Sequence, residues 1–149
     1  MATLSLAERL MKVDRGDMTA AKKMEVKAPT LSEKLGDEVK ITLHSLPGAA
    51  YAEFGRMAQN KRGDVDPSRS YDAQAMMIAE AIEGLDVKDP ELQRHFGAET
   101  PKDLVKILFP GGELVKMANV VGYISGFLSA EDADLDDEDL GFDYKSVKN

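Results

Sequence analysis

The sequence predicts an α+β fold, predominantly helical, with about five helices, a small antiparallel β pair near the N-terminus and a disordered acidic C-terminal tail. Three observations predict it. Apolar residues recur at helical spacing in segments that open on Ser, Thr or Asp, often followed by Pro. Strict alternation is confined to two short stretches, 23–27 and 38–44. Residues 131–149 hold eight acids (Glu131, Asp132, Asp134, Asp136, Asp137, Glu138, Asp139 and Asp143) against Lys145 and Lys148. That tail carries a net −6 of the chain's −8, so the remainder is close to neutral. The 149 residues divide into an N-terminal helix or arm (1–22), a compact domain (23–130) and an acidic flexible tail (131–149).

In chain order, Thr3 to Asp14 carries Leu4, Leu6, Leu10 and Met11, and Ser5-Leu6-Ala7-Glu8 can close a capping box. This helix either packs on the chain's own core or docks on a neighbouring subunit. Lys23–Lys27 sets Met24 and Val26 on one side; Glu38–His44 sets Val39, Ile41 and Leu43 on one side. The connection between them, with Pro29 and Gly36, is long for a hairpin. Two strands alone are marginal, so the pair must lean on helices. Ser45 can cap a helix beginning at Leu46-Pro47, with Leu46, Ala50, Phe54, Met57 and Ala58 on its apolar face. Arg56, Lys61 and Arg62 suit its C-terminal end. The next helix runs from Pro67 or Tyr71 to Leu85. Tyr71, Ala75, Ile78, Ala79, Ile82 and Leu85 form its face, with Met76 and Met77 beside it.

The stretch from Pro90 to Phe127 organises the chain. Asp89-Pro90 opens a short helix that Gly97 closes. Thr100-Pro101-Lys102-Asp103 opens a second, almost wholly apolar through Leu104, Val105, Ile107, Leu108 and Phe109, and so predicted to be buried. Pro110-Gly111-Gly112 breaks it. Glu113 opens a third, which runs to Leu128, with an acid near the positive end of the dipole. Leu114, Met117, Ala118, Val121, Ile124 and Leu128 share one face. Val115, Val120, Tyr123 and Phe127 widen it beyond the needs of one small core. Gly122 and Gly126 each cost about 1 kcal/mol against Ala in a helix, a cost that close helix–helix approach would explain.

Little in the sequence points to catalysis. The chain has no Cys, hence no disulfide, thiolate ligand or Cys nucleophile. His44 on a strand and His95 on a short helix lie far apart with no triad-like partners. A near-neutral body without a basic stripe argues against nucleic acid. The third helix of the stretch offers only Lys116 and Asn119 where a DNA-reading helix needs several donors. Residues 114–128 are too short and too polar to span a bilayer, and no basic, apolar signal precedes them. These features predict a soluble intracellular protein. Asp132, Asp134, Asp136 and Asp143 have the spacing of EF-hand ligands, but Asp137 stands where the loop needs Gly. Leu135, Leu140, Phe142 and Tyr144 interleave with the acids and would give a partner-binding tail apolar anchors.

The run Pro90-Glu91-Leu92, Phe96-Gly97, Pro101-Lys102-Asp103-Leu104-Val105, Pro110-Gly111-Gly112-Glu113 and Gly126-Phe127 resembles the XkdN-like tail assembly chaperones of long-tailed phages and prophages. The order and spacing of these motifs carry the resemblance over about residues 70–128. One extra Gly before Glu113 departs from it, and over 23–60 only the strand-then-helix order matches. The resemblance implies a non-enzymatic assembly factor without cofactor. It implies binding to the long, helical, aggregation-prone tape measure protein, recruitment of tail tube protein, and residence in the host bacterial cytoplasm but not in the mature virion. Partner helices would meet the apolar faces of the 71–85 and 113–128 helices, with Met76, Met77, Met117, Val120, Tyr123 and Phe127 as candidate contacts. Homo-oligomers are compatible with it; nucleic acid and membrane are not among the expected partners. Two other readings stand beside it: a regulatory module whose acidic tail binds a basic partner, and a structural tail subunit.

Overall fold

The computed structural model describes residues 3–136, 138 and 139. Among these, eight helices and three strands follow one another: α1 (Leu6–Leu10), α2 (Arg15–Thr19), β1 (Lys23–Lys27), α3 (Pro29–Leu35), β2 (Lys40–His44), α4 (Gly48–Met57), α5 (Pro67–Ala81), β3 (Ile82–Glu83), α6 (Pro90–His95), α7 (Pro101–Leu108) and α8 (Gly112–Ile124). Helices dominate, as predicted, but they number more than about five.

The antiparallel pair is present and is joined by a third strand, in the order β1-β2-β3. Met24 lies opposite Leu43 and Val26 opposite Ile41; Leu43 also faces Ile82 of β3. Period-2 geometry therefore puts Met24, Val26, Ile41, Leu43 and Ile82 on one side. Lys23, Glu25, Lys27, Lys40 and Glu83 fall on the other, where Lys23 and Glu83 pair at 3.1 Å. The apolar side packs on α8, and α5 joins α8, α7 and α4 to complete the core.

Four departures from the sequence reading have identifiable causes. The connection 28–37 contains α3, because Pro29 starts a helix readily and Gly36 (φ 77°) ends it in the left-handed conformation. The helix predicted to reach Leu85 stops at Ala81, since Ile82 turns extended (ψ 135°) to pair with β2. Ser45 caps no helix. Its hydroxyl accepts from the Lys22 N–H at 2.9 Å, and Pro47 occupies the N-cap position of α4 instead. Finally, α8 ends at Ile124 rather than Leu128. Gly126 adopts φ 86°, and the Phe127 and Leu128 N–H groups fold back onto the Gly122 carbonyl at 2.9 and 3.2 Å.

The two glycines thus do different work. Gly126 reverses the chain, whereas Gly122 makes a close approach: a Cβ there would lie 2.7 Å from the Tyr51 hydroxyl and 2.8 Å from Leu128 Cδ1. Gly122→Val should accordingly lower stability by about 1–3 kcal/mol through overpacking, read as a lower denaturant midpoint with an unchanged slope.

The caps foreseen at Asp89 and Thr100 are in place, accepting from Glu91 N (3.0 Å) and Asp103 N (3.2 Å). One cap was invisible in the sequence. Ala28, the N-cap of α3, has no side chain able to serve. Glu113 Oε1 supplies the acceptor from 83 positions away, taking the Thr30 N–H at 2.8 Å. Glu113 thereby ties the start of α8 to the start of α3. Glu113→Ala should cost about 1–2 kcal/mol in a denaturant titration, the range for loss of a cap.

The N-terminal segment is not packed on the core. Every residue from Thr3 to Lys22 is exposed, including Leu6 (69%) and Met11 (86%). The acidic tail, in contrast, starts on the body. Ala133 is fully buried, Leu135 packs against the core, Lys27 pairs with Glu138, and Lys116 pairs with Asp139 at 2.6 Å. The apolar anchors Leu140, Phe142 and Tyr144, and the calcium-spaced Asp143, lie outside the described residues.

These pairs make the attachment pH-dependent. The hydrogen bond from Lys27 holds the Glu138 carboxyl below its usual 4.5. Burial pushes Asp139 up, but the hydrogen bonds from Lys116 and Asp136 and the Lys116 charge together outweigh it and leave the carboxyl below 3.8. A depressed carboxylate stabilises the folded contact above its unfolded pKa and loses that contribution as pH falls through the folded value. Amide protection at Ala133 and Leu135, both hydrogen bonded within this turn, should therefore be full at neutral pH and decline below pH 3.8. Molar salt should lower it at neutral pH too.

Candidate functional site

An apolar groove of about 700 Å³ opens between α4 and α5. One wall is α4, through Ala50, Glu53 and Phe54; the floor is α5, through Met76, Ala79 and Glu80. His44, Leu46 and Pro47 close one part of it, and Lys88 with Thr100-Pro101-Lys102 at the start of α7 lines another. The sequence builds it from small residues at the right places. Ala50 on α4 and Ala79 on α5 are partly buried where larger side chains would fill the gap. Leu46 is fixed from behind, its N–H donating to the Ser125 hydroxyl at 2.9 Å just past α8. Glu80 and Lys88 pair at 3.3 Å on the rim. No residue of α4 is fully buried, so this wall offers apolar surface on both flanks.

On the other flank of α4, Tyr51 stacks on Phe127, with ring centroids 4.2 Å apart and planes 14° from parallel. Phe127 remains about half exposed (49%). Gly48 lies beside the ring tip, where a Cβ would make ordinary contact at 3.8 Å.

The six candidate contacts from the sequence separate into two groups. Met77, Met117 and Val120 are core residues at 7%, 2% and 0% exposure, and they present no free surface to a partner. Met76 lines the groove, Phe127 belongs to the aromatic stack, and Tyr123 is partly buried on α8. Of the residues that widen the apolar face of α8, Val120 is buried between the sheet and α5, Tyr123 is partly buried, and Val115 and Phe127 stay exposed. The groove's Pro47, Ala50 and Phe54 were missed as contacts; Leu46 beneath them is buried at 8% exposure. They are legible as an apolar helix face, but only the packing shows that part of that face stays uncovered. His44 lies on β2, its Nδ1 2.9 Å from the Ser45 carbonyl, and His95 lies on α6 edge-on to Phe96. Among the described residues, no group of three or more His, Asp or Glu is arranged to hold a metal, and no helix is long and apolar enough to cross a membrane.

The sequence matches the phage XkdN-like tail assembly chaperone family over residues 8–140. The chain belongs to that family. The match takes in the sheet and the groove as well as the helical stretch that carries the sequence motifs, and it includes most of the exposed N-terminal segment. The chaperone's fold is also similar to the crystal structure of the protein yqbn, with a TM-score of 0.51 over 86% of this chain and 99% of that one. At 22% identity that likeness concerns the fold alone. No curated protein matches the chain. Family membership makes this a phage tail assembly chaperone, with phage tail proteins as the class of partner and a role during assembly in the host cell.

Proposed function

We infer that this chaperone binds amphipathic helical segments of the tape measure protein in the groove between α4 and α5 and keeps them soluble until the tail is built. The observation that carries the reading is the groove itself. It is open, apolar and lined by Leu46, Phe54 and Met76, with charged residues at its edge. A helix presenting apolar residues at i, i+3, i+4 and i+7 fits such a surface, and a methionine in the lining lets one groove accept several sequences. The exposed half of Phe127 extends apolar surface along the far flank of α4. The role is non-catalytic and cytoplasmic, the chaperone leaves before the virion is complete, and the tail tube protein is a second candidate partner.

Co-expression with the tape measure protein, followed by co-purification at low and high salt, tests this reading. The full chain and a version ending at Ala130 should both hold the partner, and molar salt should not release it, because buried apolar area rather than charge supplies the affinity. A complex that needs residues 131–149 and dissolves in salt would overturn the groove reading in favour of a charged-tail module. The pairs Lys27–Glu138 and Lys116–Asp139 weigh against that module, since they engage part of the tail's charge with the body. Finding the protein in purified virions would instead favour a structural tail subunit.

A further inference from the structure

Six of the chain's exposed large apolar residues (Leu4, Leu6, Leu10, Met11, Val13 and Met18) lie in the N-terminal arm. Leu6 and Leu10, at i and i+4, share one apolar face of α1. A helix of five residues does not persist in water by itself; isolated helices below about 12–15 residues are marginal. The arm therefore needs a surface to hold its form, and its own body gives it none, every residue from Thr3 to Lys22 being exposed.

The root of the arm lies at the groove. Lys22 N–H donates to the Ser45 hydroxyl at 2.9 Å, and Ser45 N–H donates to the Lys22 carbonyl at 2.7 Å. Ser45 stands between His44 and Leu46, both of which line the groove. From that root the arm leaves without reversing: Ala20 is extended (φ −60°, ψ 134°), and no turn intervenes before β1. The arm thus starts beside an open apolar cleft that its own exposed residues do not fill. Two copies facing each other groove to groove would place each root at the mouth of the partner's cleft.

We propose that the N-terminal arm of one copy lies in the α4–α5 groove of a second copy, reciprocally, so that the free chaperone is an arm-exchanged dimer whose groove is covered until a client displaces the arm. Exchange of an identical element is a low-cost route to a two-fold dimer. This regulation rests on the reading of the groove as a helix-binding site.

The absence of cysteine from the chain allows a direct test in the chaperone alone. Met11→Cys and Ala50→Cys are made in separate chains, mixed without client and mildly oxidised, and the disulfide-linked peptides are identified by mass spectrometry. An intermolecular link between position 11 of one chain and position 50 of the other is expected. A single chain carrying both substitutions should run as a covalent dimer. Adding Leu6→Asp and Leu10→Asp should reduce the link at least tenfold while the circular dichroism spectrum of the body stays native, because neither residue belongs to the core. A doubly substituted chain that closes on itself as a monomer would overturn the proposal in favour of the arm's own groove. No link in either format would overturn it outright. Either failure leaves client binding to be decided by co-purification, and a client that fails to bind leaves the disulfide result readable.

Discussion

Phe109→Ala should lower the stability of the chaperone by about 3–5 kcal/mol, the range for emptying a fully buried aromatic site. Phe109 follows the last residue of α7, is completely inaccessible and heads the largest fully buried side chains of the protein. It sits in an extended conformation (φ −129°, ψ 75°), its N–H returned to the Val105 carbonyl at 2.9 Å, just before the Pro110-Gly111 break into α8. Backbone anchored on both sides cannot easily collapse into the vacated volume, so the upper part of the range is expected. Domains hold only about 5–15 kcal/mol in total, and the loss would consume a large fraction of it. Ile107→Ala two positions earlier is the control. Ile107 is 44% exposed, against the sequence expectation of a wholly buried helix, and its truncation should cost well under half as much. Urea titrations of both variants check the contrast; equal losses would show that the core is not centred where Phe109 lies.

Phe54→Asp should weaken the complex with the tape measure protein at least 100-fold, about 2.7 kcal/mol. Phe54 is the largest apolar side chain lining the groove, and aromatic anchors in clefts carry a disproportionate share of binding energy. The substitution removes that anchor and asks the complex to bury a carboxylate without a partner. Ala52→Asp on the exposed side of the same helix adds the same charge outside the lining and should leave affinity nearly unchanged. Melting curves of the two variants, run beside calorimetric titrations, separate loss of binding from loss of fold. If both bind equally well, the groove is not the client site.

Much of this architecture was written locally. Asp89, Thr100, Gly97 and the alternations at 23–27 and 38–44 each act through their immediate neighbours, and each fell where the residues indicated, except that the second strand starts at Lys40 rather than Glu38. What could not be read depends on distant contacts. Ile82 fits a helical stripe as well as a strand, and only its pairing with Leu43 decides. Met77 and Met117 looked like adaptable surface because the sequence does not show that α8 is enclosed on two sides. The groove has the same origin. Ala50 and Ala79 are small apolar residues in any reading, and only the placement of α4 against α5 turns them into empty space.

The dependence of the sheet on α8 also bears on how the chaperone is made. β1 and β2 pair early in the chain, but the helix that covers their apolar side is the last regular element among the described residues, and Glu113 at its start also completes α3. A small strand ribbon has no stability of its own, so these segments gain their final packing only after Ile124 has cleared the ribosome. The chaperone must itself leave an uncovered sheet exposed until α8 is made, and the lysine-bearing polar face and short strands of that nascent ribbon disfavour pairing with other chains.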